Sequence, residues 1–448
     1  MSRFSGERAV VVGLGVSGSA SAEVLASEGA SVRVSEERPL DRLDVPAVLT
    51  ALGVEVAAGG HDPKHLDDVT LVVTSPGVPP DAPILREAHD RGLPIWGELE
   101  LGARLAEVPY LAVTGTNGKT TTVELLAACL RADGIDAVAC GNVGHPFPLA
   151  AREDHAALVV EASSFQLRFA DTFHPRVSVL LNLAPDHLDW HGSFDAYRDA
   201  KARIAANQTA EDTHVGNRDD PGAAAVSWAA PCPVRWFRAG EPPDGEIGYD
   251  PEGELVSRIG HGARLGWVDG DRAGFRADAA AAAAAALSFG VTPASITAAI
   301  AGFEPLGHRG ETVAVVDGVR FIDNSKATNV HAALAALAAV HDAVLIAGGR
   351  AKGVDLSPLR GAAGHLAAVV AIGEAAPDLE AVFDGEVPVR RAGSIEEAVA
   401  VARDLAPQDG AVLLAPACAS WDMFRDYVER GERFAAAARA LAGVGARG

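Results

Sequence analysis

The chain is poor in cysteine, in positive charge and, above all, in lysine, and each shortage excludes something. Four cysteines stand among 448 residues, Cys129, Cys140, Cys232 and Cys418, and no two form a CxxC pair. Neither a zinc knuckle nor a disulfide framework is expected, and reduced thiols point to the cytoplasm. Lysines and arginines number 38 against 60 aspartates and glutamates, a net charge of −22. A surface of that sign does not track a phosphate backbone, so no nucleic-acid partner is expected. Residues 279–303 carry no formal charge, yet they are mostly small and are broken by Gly290-Val291-Thr292-Pro293. They read as two helices, and no membrane partner is expected. The start does not read as a signal peptide, because Glu7 interrupts its basic residues and the apolar run beyond is Gly-rich.

Of the basic residues only Lys64, Lys119, Lys201, Lys326 and Lys352 are lysines. A chain that uses arginine wherever either cation serves keeps lysine where a compact ammonium or a reactive amine is needed. Four of the five fall in the motifs below. Lys64, in the loop His61-Asp62-Pro63-Lys64-His65, reads as solvated.

What is present is a repeated strand–helix pattern. At about 100–200 residues per domain, this length makes two or three domains. Apolar runs at 9–12, 31–34, 71–73 and 93–95 give a first parallel sheet, and runs at 110–114, 158–161 and 177–182 a second. Residues 211–271 are Pro- and Gly-rich and show only loops and short strands. Runs at 315–322, 343–347, 369–372 and 411–414 give a third part. Such alternation implies α/β domains with mostly parallel sheets.

Two glycine-rich turns follow strands and open helices. Gly13-Leu14-Gly15-Val16-Ser17-Gly18 matches a dinucleotide fingerprint, with Glu36 where a ribose-binding acid would stand. Gly115-Thr116-Asn117-Gly118-Lys119-Thr120-Thr121 is the stronger signal. Its backbone can cradle phosphates, Lys119 can reach the β/γ oxygens, and Thr120 can offer a hydroxyl to magnesium. It is shorter than the Walker pattern, since Val113 stands where the first glycine would be. Glu161-Ala162-Ser163-Ser164-Phe165-Gln166, Asp186-His187-Leu188-Asp189 and Lys201 follow strands of the same part. Strand C-termini of an open α/β sheet converge on a ligand crevice, so these groups are candidates to face the phosphate loop. A carboxylate and an imidazole there are candidate magnesium ligands.

Together with SPGVP at 75–79, GNVG at 141–144, YRDAK at 197–201, GHRGE at 307–311, NSKATN at 324–329, GGRAKG at 348–353 and PACASWDMFRDYVERG at 416–431, these motifs resemble the Mur ligases of peptidoglycan synthesis. The resemblance covers nearly the whole chain and is strongest to the branch that adds D-glutamate. It implies three α/β domains: a Rossmann-like domain at 1–98 for a UDP-linked substrate, a P-loop-type ATPase at 99–304, and a Rossmann-like domain at 305–448 for the amino acid. The implied activity is ATP-dependent ligation of D-glutamate to UDP-N-acetylmuramoyl-L-alanine by a monomer, with two Mg2+ ions.

By the same resemblance, Gly115 to Thr121 form the ATP loop, joined by His308, Arg309 and Asn324. Gly15, Val16, Ser17, Glu36, Glu37, Arg38, Ser75, Gly77, Asn142, Ser163 and Gln166 hold the UDP substrate. Thr120, Glu161, His187 and Lys201 hold metal, Lys201 as a CO2-derived carbamate. Lys119, His187 and Lys201 are the implied catalytic residues, and Lys326, Thr328, Lys352, Ser420 and Tyr427 receive the amino acid. The chain departs from the family at Phe275, Asp278 and Asn324, where amides meeting adenine and an acid are usual. The rivals are another Mur or folylpolyglutamate-type ligase, a non-catalytic sensor of the same fold, and an NAD(P)-dependent oxidoreductase. The last leaves GTNGKTT and NSKATN unexplained.

Overall fold

The structure, a computed structural model, describes residues 2–268, 273–304 and 306–445. Its first sheet comprises β1 (Arg8–Val12), β2 (Ser31–Glu36), β3 (Glu55–Ala58), β4 (Leu71–Thr74) and β5 (Ile95–Gly97), in the order β3-β2-β1-β4-β5, all parallel. Beyond the exposed Arg8, β1 is apolar and buried on both faces, and β4 is buried throughout, as a parallel sheet covered by helices requires.

The second sheet runs β14-β13-β12-β11-β10-β9-β6-β8-β7. Its strands are β6 (Tyr110–Thr114), β7 (Ala137–Gly141), β8 (Ala157–Glu161), β9 (Val177–Leu180), β10 (Thr213–Asn217), β11 (Val234–Phe237), β12 (Glu246–Tyr249), β13 (Glu254–Ser257) and β14 (Ala263–Trp267). The stretch read as loops and short strands supplies five strands, β10 to β14; β13 pairs antiparallel on both its sides. The uncharged stretch forms two helices, Ala273–Phe289 and Pro293–Ala301, the second capped by the Thr292 side chain. Ala279 to Ala286 are all buried against the strands of this sheet, where small side chains let a helix lie close.

The third sheet runs β15-β16-β20-β17-β18-β19, from β15 (Glu311–Val316), β16 (Val319–Asp323), β17 (Ala343–Gly348), β18 (Leu366–Ile372), β19 (Val389–Arg391) and β20 (Ala411–Leu414). The single strand expected over 315–322 is a hairpin. Asp317 and Gly318 both take positive φ, 47° and 84°, which a two-residue turn between antiparallel strands requires. Among the described residues no helix is long and apolar enough to cross a membrane.

By compactness the described residues divide into two units. One carries the first two sheets and takes in the chain up to Leu183, Arg198 to residue 268, and Phe275–Phe303. The other carries the third sheet and takes in Ala184–Tyr197 with the chain from Glu304 onward.

Candidate active site

In the first unit β6 is buried at every residue and delivers Gly115 to the sheet's C-terminal edge. The helix Lys119–Ala132 then starts at Gly118, whose φ of +87° is one that side chains rarely adopt. Lys119 Nζ folds back onto the Gly115 and Thr116 carbonyls, 3.0 Å from each. Asn182, just past β9, braces the loop by accepting from the Asn117 N–H at 2.8 Å and donating to the Asn117 carbonyl at 3.1 Å.

The neighbouring strand ends bring the predicted groups together. Val113 of β6 is registered with Glu161 of β8, and Gly141 of β7 with the same Glu161. Asn142 donates to Glu161 Oε1 at 3.0 Å, whereas Glu161 Oε2 is buried without a hydrogen bond. A bare buried carboxylate oxygen costs on the order of 1–3 kcal/mol or more unless a cation or donor meets it. Lys201 is only 2% exposed, and its Nζ donates to the Gly115 carbonyl at 2.7 Å. The helix Phe194–Ala202 carries it there. Ser163 and Gln166 form a capping box that starts the short helix Ser164–Leu167.

The positions that depart from the family lie against this loop. A Cβ on Gly118 would fall on the Asp278 carboxylate, so that acid borders the start of the phosphate-loop helix. Phe275 stacks on Phe303 with ring centroids 5.7 Å apart, and the Arg276 guanidinium lies 3.9 Å from the Tyr249 ring centre.

At the first sheet's edge, Gly18 admits the Gly13 carbonyl, which a Cβ would strike, and Ser75 Oγ donates to that carbonyl at 3.2 Å. Glu36 accepts from the Leu14 N–H at 2.6 Å and from Arg38 Nε at 2.9 Å. Burial alone would raise its carboxyl, but Arg38 and the Leu14 N–H outweigh it and hold the group at about 2. Its oxygens are engaged within the turn, which disfavours the ribose-binding role of an NAD site. Glu37, Arg38, Gly15, Val16 and Gly77 are exposed along this rim.

The second unit gathers the amino-acid residues at the ends of β16, β20 and β17. Lys326 Nζ stands 4.0 Å from the centre of the Tyr427 ring, and Thr328 N–H bonds the Lys326 carbonyl. Ser420 and Lys352 are buried. Lys352 is paired with Asp186, which also accepts from Asn329 at 3.3 Å. Asp186 and His187 therefore belong to this unit, so of the expected metal residues Thr120, Glu161 and Lys201 share the first unit and His187 does not. His308 Nδ1 meets Asp323 Oδ2 at 2.6 Å, whereas Asn324 gives its backbone N–H to the Leu414 carbonyl. Asp323 was not singled out as a site residue, although an acid one place from the usual position was its signal. Arg309 reaches the Gly307 carbonyl at 3.1 Å.

A phosphate loop at a parallel strand end, walled by a buried carboxylate and a buried lysine, defines a nucleotide-using α/β enzyme. Residues 7–97 match the model of the Mur ligase MurD-like N-terminal domain, and residues 113–244 that of the Mur ligase middle domain. The UDP-N-acetylmuramoylalanine--D-glutamate ligase of Frankia casuarinae is 45% identical over 98% of this chain and 95% of its own. That of Thermobifida fusca is 44% identical over 98% and 99%. Among solved structures, the MurF ligase of Thermotoga maritima in complex with ADP is alike in fold, with a TM-score of 0.61 at 16% identity over 99% of this chain and 100% of that one. The chain belongs to the Mur ligase family, whose members are ATP-dependent, amide-forming ligases.

Proposed function

We propose that this chain joins D-glutamate to UDP-N-acetylmuramoyl-L-alanine in the cytoplasm, with ATP giving ADP and phosphate. Near-full-length relatives at 45% and 44% identity carry that ligase name. The observation that carries the chemistry is the GTNGKTT loop beside Glu161 Oε2, a buried acceptor without a donor. The same reading divides the chain at 1–98, 99–304 and 305–448 and has it act as a monomer.

The substrate carboxylate attacks the γ-phosphate and becomes an acyl phosphate; the glutamate amine then attacks that carbonyl and phosphate departs. Lys119 leaves the carbonyls it now holds and follows the γ-phosphoryl group, compensating its charge. Gly13 to Gly18, Glu36 to Arg38, Ser75 and Gly77 seat the uridine diphosphate; Asn142, Ser163 and Gln166 orient the muramoyl arm. Lys326, Thr328, Lys352, Ser420 and Tyr427 hold the glutamate, two ammonium groups answering its two carboxylates. His308, Arg309 and Asn324 approach the nucleotide.

Thr120, Glu161, His187 and Lys201 would hold two magnesium ions, the unpartnered Glu161 oxygen being the donor that fits them best. Bound magnesium would neutralise phosphate charge. Lys201 suits the carbamate role because an amine can capture CO2, which a guanidinium cannot.

A phosphate-release assay with UDP-N-acetylmuramoyl-L-alanine and a panel of amino acids tests the reading. Release with D-glutamate alone supports it; release with another amino acid, or with none, contradicts it.

A further inference from the structure

Glu98 is a carboxylate buried where nothing so far requires one. It opens the helix Glu98–Leu105, is 1% exposed, and accepts from Gln166 Nε2 at 3.2 Å. Its other oxygen, Oε1, is buried without a hydrogen bond. The Ser17 hydroxyl and the Phe147 N–H also approach this carboxyl. Burial raises the Glu98 carboxyl, and Ser17, Gln166 and Phe147 oppose that shift. Glu98 in turn helps raise the thiol of Cys140, already pushed up by burial. Two residues of the proposed UDP-substrate site, Ser17 and Gln166, thus flank one acid.

The hydrogen-bond polarity gives this acid a task. Gln166 Oε1 accepts from the Ser163 N–H at 3.0 Å and from the Ser163 hydroxyl at 2.9 Å. The Gln166 backbone N–H donates back to Ser163 Oγ at 3.2 Å. An amide side chain can turn over, exchanging its oxygen and nitrogen, and its partners decide which way it stands. Glu98 Oε2 accepts from Nε2, which turns that end of the Gln166 amide towards the acid and its Oε1 towards Ser163. The Ser163 hydroxyl proton is then committed to Gln166. Gly97 keeps the helix start close enough: a Cβ there would stand 3.2 Å from Phe169 Cβ and 3.6 Å from the Gln166 carbonyl.

We infer that Glu98 is a positioning residue of the UDP-substrate site, fixing the Gln166 amide and through it the Ser163 hydroxyl in the orientation that receives the muramoyl arm. The inference rests on the assignment of Ser163 and Gln166 to that site.

The test compares steady-state constants of the full-length enzyme, Glu98→Leu, Glu98→Gln, Gln166→Ala and the double variant Glu98→Leu/Gln166→Ala. Loss of this acceptor should raise KM for the UDP substrate about tenfold in Glu98→Leu, with KM for ATP unchanged. Glu98→Gln keeps an acceptor for Gln166 and should recover most of that loss. The double variant should be no worse than Gln166→Ala, because both changes remove one arrangement. A purely structural Glu98 would instead lower the folded fraction, and so kcat, while leaving KM alone; that outcome overturns the inference. So does a raised KM in Gln166→Ala with a normal KM in Glu98→Leu. An unchanged KM in Gln166→Ala removes the substrate-site assignment beneath it.

Discussion

The Lys201 amine donates to the Gly115 carbonyl at 2.7 Å, tying the one lysine of the helix Phe194–Ala202 to the first residue of the phosphate loop. Arginine, which this chain otherwise prefers, would bring a permanent cation to that wall.

If Lys201 serves as a carbamate, Lys201→Ala loses a metal ligand and should fall about a hundredfold or more in kcat. Acetate or formate should restore part of the activity by supplying oxygens in the vacated space. Lys201→Arg should stay inactive with or without them. Turnover assays with graded acetate check this; an active Lys201→Arg, or no rescue of the alanine variant, would say the lysine acts as a plain ammonium.

Lys119→Ala should lower turnover about 100- to 1,000-fold, the scale for one removed charge-stabilising donor. The affinity for the UDP substrate, measured by calorimetry without ATP, should not change. Acetate should not help, since the lost group is a cation. Near-normal turnover would remove the phosphate-loop assignment.

Glu161→Gln retains an oxygen for Asn142 but places an amide where Oε2 stands bare. The magnesium concentration for half-maximal activity should rise about tenfold or more. An unchanged magnesium titration would make Glu161 structural.

Behind the site, His214 is fully enclosed: Nδ1 lies 2.6 Å from Ser178 Oγ and Nε2 2.9 Å from Ser227 Oγ. Burial drives its folded-state value down to about 4. An unfolded chain takes up this proton near pH 6.5, whereas the folded one resists until about pH 4. Stability is therefore complete above about pH 6.5 and is lost as pH falls towards 4, by about 2 kcal/mol between pH 7 and 5. Denaturant titrations at the two pH values should show a smaller loss in His214→Gln. Equal losses would assign the acid sensitivity elsewhere.

The parts of the site legible in the sequence are those that local backbone chemistry dictates. Gly118 must be glycine because the turn before the helix needs positive φ and because Asp278 lies where a Cβ would go. Such a turn reads directly as GTNGKTT after a buried strand. Short strands were expected over 211–271, but the number and bounds of β10 to β14 were not legible, because each is four or five residues long and gains its stability from partners across the sheet, not from an amphipathic period of its own. The 311–323 hairpin was read as one strand because both arms are apolar and the turn is only Asp317-Gly318.

What escaped the sequence was tertiary. Asp186 and His187 follow the central strands in order, yet their segment groups with the third sheet, where Asp186 meets Lys352 at a separation of 166 residues. Glu98 and Gln166 are 68 apart, and no motif joins them. Asp323 rather than Asn324 holds His308, because β16 extends through Asp323 and fixes which side chain faces that histidine.

The central claim, amide formation through an acyl phosphate, is tested most directly by oxygen transfer. UDP-N-acetylmuramoyl-L-alanine labelled with 18O in its alanyl carboxylate is turned over with ATP and D-glutamate, and the released phosphate is analysed by mass spectrometry. The account predicts one 18O atom from the carboxylate in each phosphate, together with the D-glutamyl product. Unlabelled phosphate, or labelled phosphate without that product, would contradict it.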